Sequence, residues 1–136
     1  MLIQVNEIIF KDEFMISRVQ IEEIRLQPQG HLDLQGGEWL QQQLKTIAPR
    51  RYKVWVIDLS EVESMDSPGL SALISGLKLA RESNARLVLC SLRPSARLIF
   101  EITQLDRAFD IFESYDALLT ALVVPSSIIP ALEVAQ

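Results

Sequence analysis

One cysteine and one histidine in 136 residues remove several chemistries at once. Cys90 has no partner for an internal disulfide, and one thiol plus one imidazole cannot build a Cys/His zinc set. Cys90 closes the run Arg86-Leu87-Val88-Leu89-Cys90, which predicts a buried thiol. Glycine is scarce, and neither GxGxxG nor GxxxxGKS/T occurs, so there is no phosphate loop to cradle a nucleotide. No GxSxG elbow surrounds any serine. The chain lacks a long basic run and carries a net charge of −5, which argues against a nucleic-acid-binding face. No apolar stretch approaches the roughly 18 residues of a membrane span. The opening MLIQVNEIIFKDE lacks the basic and long apolar regions of a signal peptide, so the cytoplasm is the expected location.

What is present reads as a folded domain. With 49% hydrophobic and 23% charged residues the chain can bury a core and has no disordered composition. Residues 2–10 read as a strand or an N-terminal arm and 19–28 as a strand, with a turn at Lys11-Asp12-Glu13, and Gly30-His31-Leu32-Asp33 reads as a connection. A helix is expected after Gly36-Gly37 from Leu40, Leu44, Ile47 and Ala48, stopped by Pro49. Arg50, Arg51 and Lys53 suit the carbonyl end of that helix. Val54 to Leu59 is a continuous apolar run, as in a strand covered on both faces. A polar loop with Glu61 and Glu63 follows.

The next helix is strongly periodic. Leu70, Leu73, Ile74, Leu77 and Ala80 share one face, and Ser71, Ser75, Lys78 and Glu82 the other. Asn84 is suited to a left-handed helix stop. A strand over Leu87–Leu92, a helix opened by Pro94-Ser95 and running through Leu105, a strand over Phe109–Phe112 and a helix capped by Ser114 complete the order. Trp39 and Trp55 are expected in or beside the core. Strands alternating with helices imply crossover connections and a largely parallel sheet, hence an α/β fold. The core is expected over about residues 20–122 of one domain, 1–124, with a C-terminal tail at 125–136 free to fray or dock.

Asp66-Ser67-Pro68-Gly69 stands between the buried strand and the amphipathic helix. On local chemistry Ser67 is a helix cap and Pro68 fits the first helical position, where its missing N–H costs nothing. The functional alternative places an exposed serine at a helix start, where a phosphate would meet backbone N–H groups and add about −1.5 to −2 charges beside Asp66. Gly76 inside this helix costs about 1 kcal/mol against alanine, which suggests close approach by a neighbour or a partner. A hydrolase would instead need Ser67 with His31 and a carboxylate such as Asp58, and no spacing requires that.

The ordered set Gly30-x-Leu32-Asp33, Asp58-Leu59-Ser60, Asp66-Ser67-x-Gly69-Leu70, Ser91-Leu92-Arg93-Pro94 and FEITQLDRAFDIF resembles the STAS domain of bacterial anti-sigma factor antagonists. The resemblance spans about residues 20–122. It implies a small mixed, mostly parallel sheet with about four helices mainly on one face. It further implies a binding protein without catalytic, metal or cofactor sites. Unphosphorylated, such a protein binds an anti-sigma factor that is a serine kinase; the kinase modifies the serine after the motif aspartate, here Ser67, and a metal-dependent phosphatase restores it. The implied partner-binding set is Asp33, Asp66, Ser67, Pro68, Gly69, Ser71, Ser75 and Lys78. A homodimer stays open, as does a non-switching scaffold subunit of a larger signalling or transporter complex. The family often has Ser, Thr or Ala where Pro68 stands. Either phosphorylation survives the stiffened loop or the protein is a constitutive binder.

Overall fold

The computed structural model describes residues 2–11 and 16–123. The elements are β1 (Leu2–Lys11), β2 (Ile16–Leu26), β3 (Gly30–Leu32), α1 (Leu34–Ile47), β4 (Val54–Asp58), β5 (Val62–Met65), α2 (Ser67–Glu82), β6 (Arg86–Cys90), α3 (Pro94–Ile102), β7 (Asp110–Phe112) and α4 (Tyr115–Val123). The predicted turn after Lys11 and the tail at 125–136 lie outside the described residues.

A five-stranded sheet has the order β1-β2-β4-β6-β7, antiparallel between β1 and β2 and parallel elsewhere. The mixed, mostly parallel α/β architecture expected from the sequence is therefore present. Alternation along the strands sorts the side chains. Ile24, Leu26, Trp55, Ile57, Leu87 and Leu89 pack with Leu40, Leu44, Leu73 and Phe100 from α1, α2 and α3. Val54, Val56, Val88 and Cys90 face the other way, under Leu118, Tyr115 and Leu122 of α4. Three helices thus cover one face, and α4 covers part of the other.

Several details depart from expectation. Gly30–Leu32 is a strand rather than a connection, and it pairs in parallel with β5, which had read as a polar loop; Glu63 is therefore a strand residue. The period-two pattern is too short in three or four residues to announce itself. Helix α1 begins before Gly36-Gly37, because Asp33 caps it. Its end is as expected, with Pro49 in a 3₁₀ turn, Ala48–Arg50, closed by Arg51 in the left-handed region. Asn84 is left-handed at φ 57°, as its type suggested. Helix α3 stops at Ile102, and Leu105 belongs to a separate turn that lets Phe109 meet Phe100 edge to face at 5.5 Å. Trp55 is buried, but Trp39 is 40% exposed and is not a core anchor. Ser114 caps α4 as expected, its Oγ accepting from the Ala117 N–H at 3.0 Å.

Gly76 permits contact within the fold. A Cβ there would lie 2.6 Å from Leu44 Cδ1, so the glycine lets α1 settle onto α2.

Candidate functional site

Strands β3 and β5 end side by side, with Leu32 opposite Met65. The chain then enters α1 through Asp33 and α2 through Asp66, so two helix N-termini start from neighbouring strands about 4.8 Å apart. Both starts are capped alike. Asp33 Oδ1 accepts from Gly36 N–H at 2.9 Å, and Asp66 Oδ1 accepts from Gly69 N–H at 3.1 Å. The cap of α2 is therefore Asp66 and not Ser67, which is the first helical residue. Pro68 takes the second position, where an N–H has no intrahelical partner to lose.

Glycine sets the closeness of the two starts. A Cβ on Gly69 would stand 1.8 Å from the Leu32 carbonyl oxygen. A Cβ on Gly37 would stand 3.0 Å from Ala72 Cβ and 3.3 Å from the Pro68 carbonyl. The Asp66 N–H donates to the Leu32 carbonyl at 3.3 Å, which ties the Ser67 turn to β3.

This geometry changes what a phosphate on Ser67 would meet. Of the first-turn donors of α2, Pro68 has none, Gly69 N–H is held by the Asp66 carboxylate, and Leu70 N–H is held by the Asp66 carbonyl at 2.9 Å. Beyond the N–H of Ser67 itself, the backbone cradle anticipated from the sequence is thus taken up by Asp66. A phosphate would lie outside it, among two carboxylates, directed at whatever docks there.

The residues expected at the site are disposed as follows. Asp66, Ser67, Pro68, Ser71, Ser75 and Lys78 are exposed, Asp33 is half-buried beside them, and Gly69 is buried against β3. Ser67, Ser71, Ser75 and Lys78 recur at three- and four-residue spacing and form one stripe along α2. Ile74 joins that stripe. It is 44% exposed, whereas periodicity had placed it on the buried face. Ile74 and Leu77 also line a groove of about 320 Å³ with Lys78, Arg81, Leu105 and Phe109. Leu98 and Ile102 of α3 are exposed as well. These apolar members were not read from the sequence, because an amphipathic pattern reports apolar character and not which apolar residue is left uncovered.

The serine–histidine–aspartate alternative is not assembled. His31 Nδ1 is 2.6 Å from Ser64 Oγ, on the β3–β5 pair. Asp58 is engaged elsewhere: it pairs with Arg25, and its Oδ1 accepts from the Ser60 N–H at 2.9 Å. Burial pushes the Asp58 carboxyl up, but the Arg25 guanidinium and the Ser60 donors outweigh it and hold the group below the ordinary carboxylate range. Arg25 also stacks 4.0 Å from the Tyr115 ring centroid, and Tyr115 O–H donates to the buried Glu23. This network fastens α4 to β2 and β4. Among the described residues no cluster of three metal-ligating side chains occurs, and no helix is long and apolar enough to cross a membrane.

A sheet of this order, with a capped serine turn between two helix starts, defines the STAS class. Residues 17–120 match the family model described as Mlab, STAS domain, and the chain belongs to that family. BtrV of Bordetella bronchiseptica, a protein named as an anti-sigma factor antagonist, is 29% identical over 93 residues, 68% of this chain and 80% of BtrV. An anti-sigma factor antagonist structure from Thermotoga maritima aligns with a TM-score of 0.68 at 22% identity, over 73% of this chain and 86% of that one. SpoIIAA of Bacillus in its phosphorylated form aligns with a TM-score of 0.58 at 15% identity, over 85% of this chain and 99% of that one. The two structures share the fold.

Proposed function

We infer that this protein is an anti-sigma factor antagonist of the partner-switching kind. It acts in the cytoplasm and docks a serine-kinase anti-sigma factor on the N-terminal turns of α2. The observation that carries this reading is the exposed Ser67 at the first position of α2, followed by Pro68, which has no N–H, and by the Gly69 and Leu70 N–H groups, both held by Asp66. The stripe Ser71, Ile74, Ser75 and Lys78 supplies the contact surface, and Asp33, Asp66 and Pro68 frame its end. Phosphorylation of Ser67 by the bound kinase adds charge that the fold cannot absorb, between Asp33 and Asp66, and the partner leaves. A metal-dependent phosphatase resets the serine. Pro68 costs no hydrogen bond at its position, so it shapes the turn without blocking the hydroxyl. The similarity to BtrV supports the antagonist reading.

The test is intact mass after incubation with the cognate kinase and ATP. One added phosphate is expected on the wild type and none on Ser67→Ala. Equal labelling of Ser67→Ala would sink the switch. Pull-down with the same kinase should succeed for wild type and Ser67→Ala and fail for Ser67→Asp.

A sulfate transporter family protein of Wolinella succinogenes has the same fold, with a TM-score of 0.67 at 17% identity, and this favours one rival: a non-switching scaffold subunit of a larger signalling or transporter complex. Light scattering separates the two. A discrete high-order assembly, unaltered by Ser67→Asp, selects the scaffold.

A further inference from the structure

Helix α2 has 16 residues, so its far end lies about 24 Å from Ser67 at about 1.5 Å per residue. There the carbonyl ends of α1 and α2 meet around an open cavity of about 630 Å³, lined by Pro49, Arg51, Tyr52, Lys53, Ser83 and Asn84. That volume is within the roughly 300–1,000 Å³ of small-molecule sites. Two cations and no carboxylate line it, in a chain whose net charge is −5. Arg51 and Lys53 have no ion-pair partner among the described residues; the neighbouring Arg86 is bound to Asp110 at 2.9 Å.

Cations here would ordinarily be assigned to the helix carbonyls. Several of those carbonyls are already served by backbone. Ala85 N–H donates to the Ala80 carbonyl at 2.9 Å, Asn84 N–H to Arg81 at 3.2 Å, and Arg51 N–H to Ala48 at 3.4 Å. Left-handed backbone at Arg51 and Asn84 makes these closures and shapes the rim. The guanidinium and the ammonium are left with their donors unspent. Tyr52 and Asn84 add uncharged hydrogen-bonding groups, and the Pro49 and Tyr52 rings supply flat walls. A guanidinium fork beside an ammonium suits phosphate oxygens.

We propose that this cavity is a binding site for a small phosphate ester, with Arg51 and Lys53 as the anion contacts. It is separate from the partner surface at the other end of α2. The test is calorimetric titration of the full chain with sodium pyrophosphate at low salt. Saturable binding with Kd below about 1 mM is expected. The double variant Arg51→Gln, Lys53→Gln, with its melting temperature checked against wild type, is expected to weaken binding by about tenfold or more. Arg107→Glu, an exposed cation elsewhere, is expected to leave it unchanged. No saturation by about 5 mM, or equal weakening by Arg107→Glu, would overturn the site. A parallel sedimentation with phosphatidic acid vesicles separates the sources of phosphate. Binding to vesicles alone would overturn the small-molecule assignment.

Discussion

Asp33 and Asp66 are equivalent in the fold: each follows one strand of the parallel pair β3–β5, and each caps the helix that comes next. Replacing either cap by alanine strips one first-turn N–H of its acceptor, and such losses cost about 1 kcal/mol. Asp66→Ala is therefore expected to lower stability by about that amount, and Asp66→Asn, which keeps an oxygen acceptor, by much less. A carboxylate at Ser67 has opposing effects. It gains from the α2 dipole by about 0.3–1 kcal/mol and loses to repulsion from Asp33 and Asp66. Ser67→Asp should thus stay within about 1 kcal/mol of wild type in urea unfolding. Its failure to bind a partner would then report on the surface and not on the fold.

Asp58 makes the fold sensitive to acid. Its carboxyl titrates near 3.8 when unfolded and lower when folded, because Arg25 and Ser60 favour the ionised form over the cost of burial. The stabilisation is complete above the unfolded value and is lost as pH falls through the folded one. Between about pH 5 and about pH 3 the urea midpoint of the wild type is expected to fall further than that of Asp58→Asn, which cannot titrate. Parallel curves for the two proteins would remove Asp58 from the acid transition.

Continuous apolar runs made β4 and β6 legible and strong periodicity made α2 so, because a run such as Val54–Ile57 and the Leu73–Ala80 face must be buried somewhere. The serine turn was legible too, as a spacing of Asp, Ser, Pro and Gly at a strand-to-helix junction. What stayed hidden depends on tertiary register. Nothing local shows that Gly30–Leu32 pairs with Val62–Met65, and only that pairing sets Asp33 beside Asp66. The choice of Asp66 over Ser67 as cap follows from the same constraint, since the Asp66 N–H is tied to Leu32. Ile74 was misplaced because periodicity reports an apolar position and not whether another element packs on it; at 44% exposure little does. The Glu23, Arg25, Tyr115 and Asp58 network joins residues up to 92 apart in sequence, and no spacing rule reaches that far.

Cys90 gives a second, alkaline dependence of the opposite sign. Burial and the nearby Asp58 charge push its thiol up to about 11 from an ordinary value of 9.0. The folded state holds this proton more tightly than the unfolded chain does. Stability is therefore expected to decline as pH rises from about 9 to about 11, and Cys90→Ala should remove that part of the decline. For the same reason the thiol should react with Ellman's reagent at neutral pH only as fast as the protein opens. Rapid labelling of the folded protein would contradict the buried position.

Gly69 and Gly76 lie two turns apart on α2, yet the same substitution should act differently at each. Alanine gains about 1 kcal/mol of helix propensity over glycine at an interior position. At Gly76 the new methyl would meet Leu44 Cδ1 at 2.6 Å, the far end of a side chain that can rotate away. Gain and clash are of similar size, so Gly76→Ala should change the unfolding free energy by less than about 1 kcal/mol. At Gly69 the methyl would stand 1.8 Å from the Leu32 carbonyl oxygen, which is backbone in β3. That oxygen can yield only if β3 and the start of α2 separate, and with them the Asp66 N–H bond to Leu32. Gly69→Ala should therefore destabilise by about 2–3 kcal/mol or more, in the range of core overpacking. Chemical denaturation of the two variants side by side makes the comparison. Equal midpoints would mean that the two helix starts are not locked together by backbone contact.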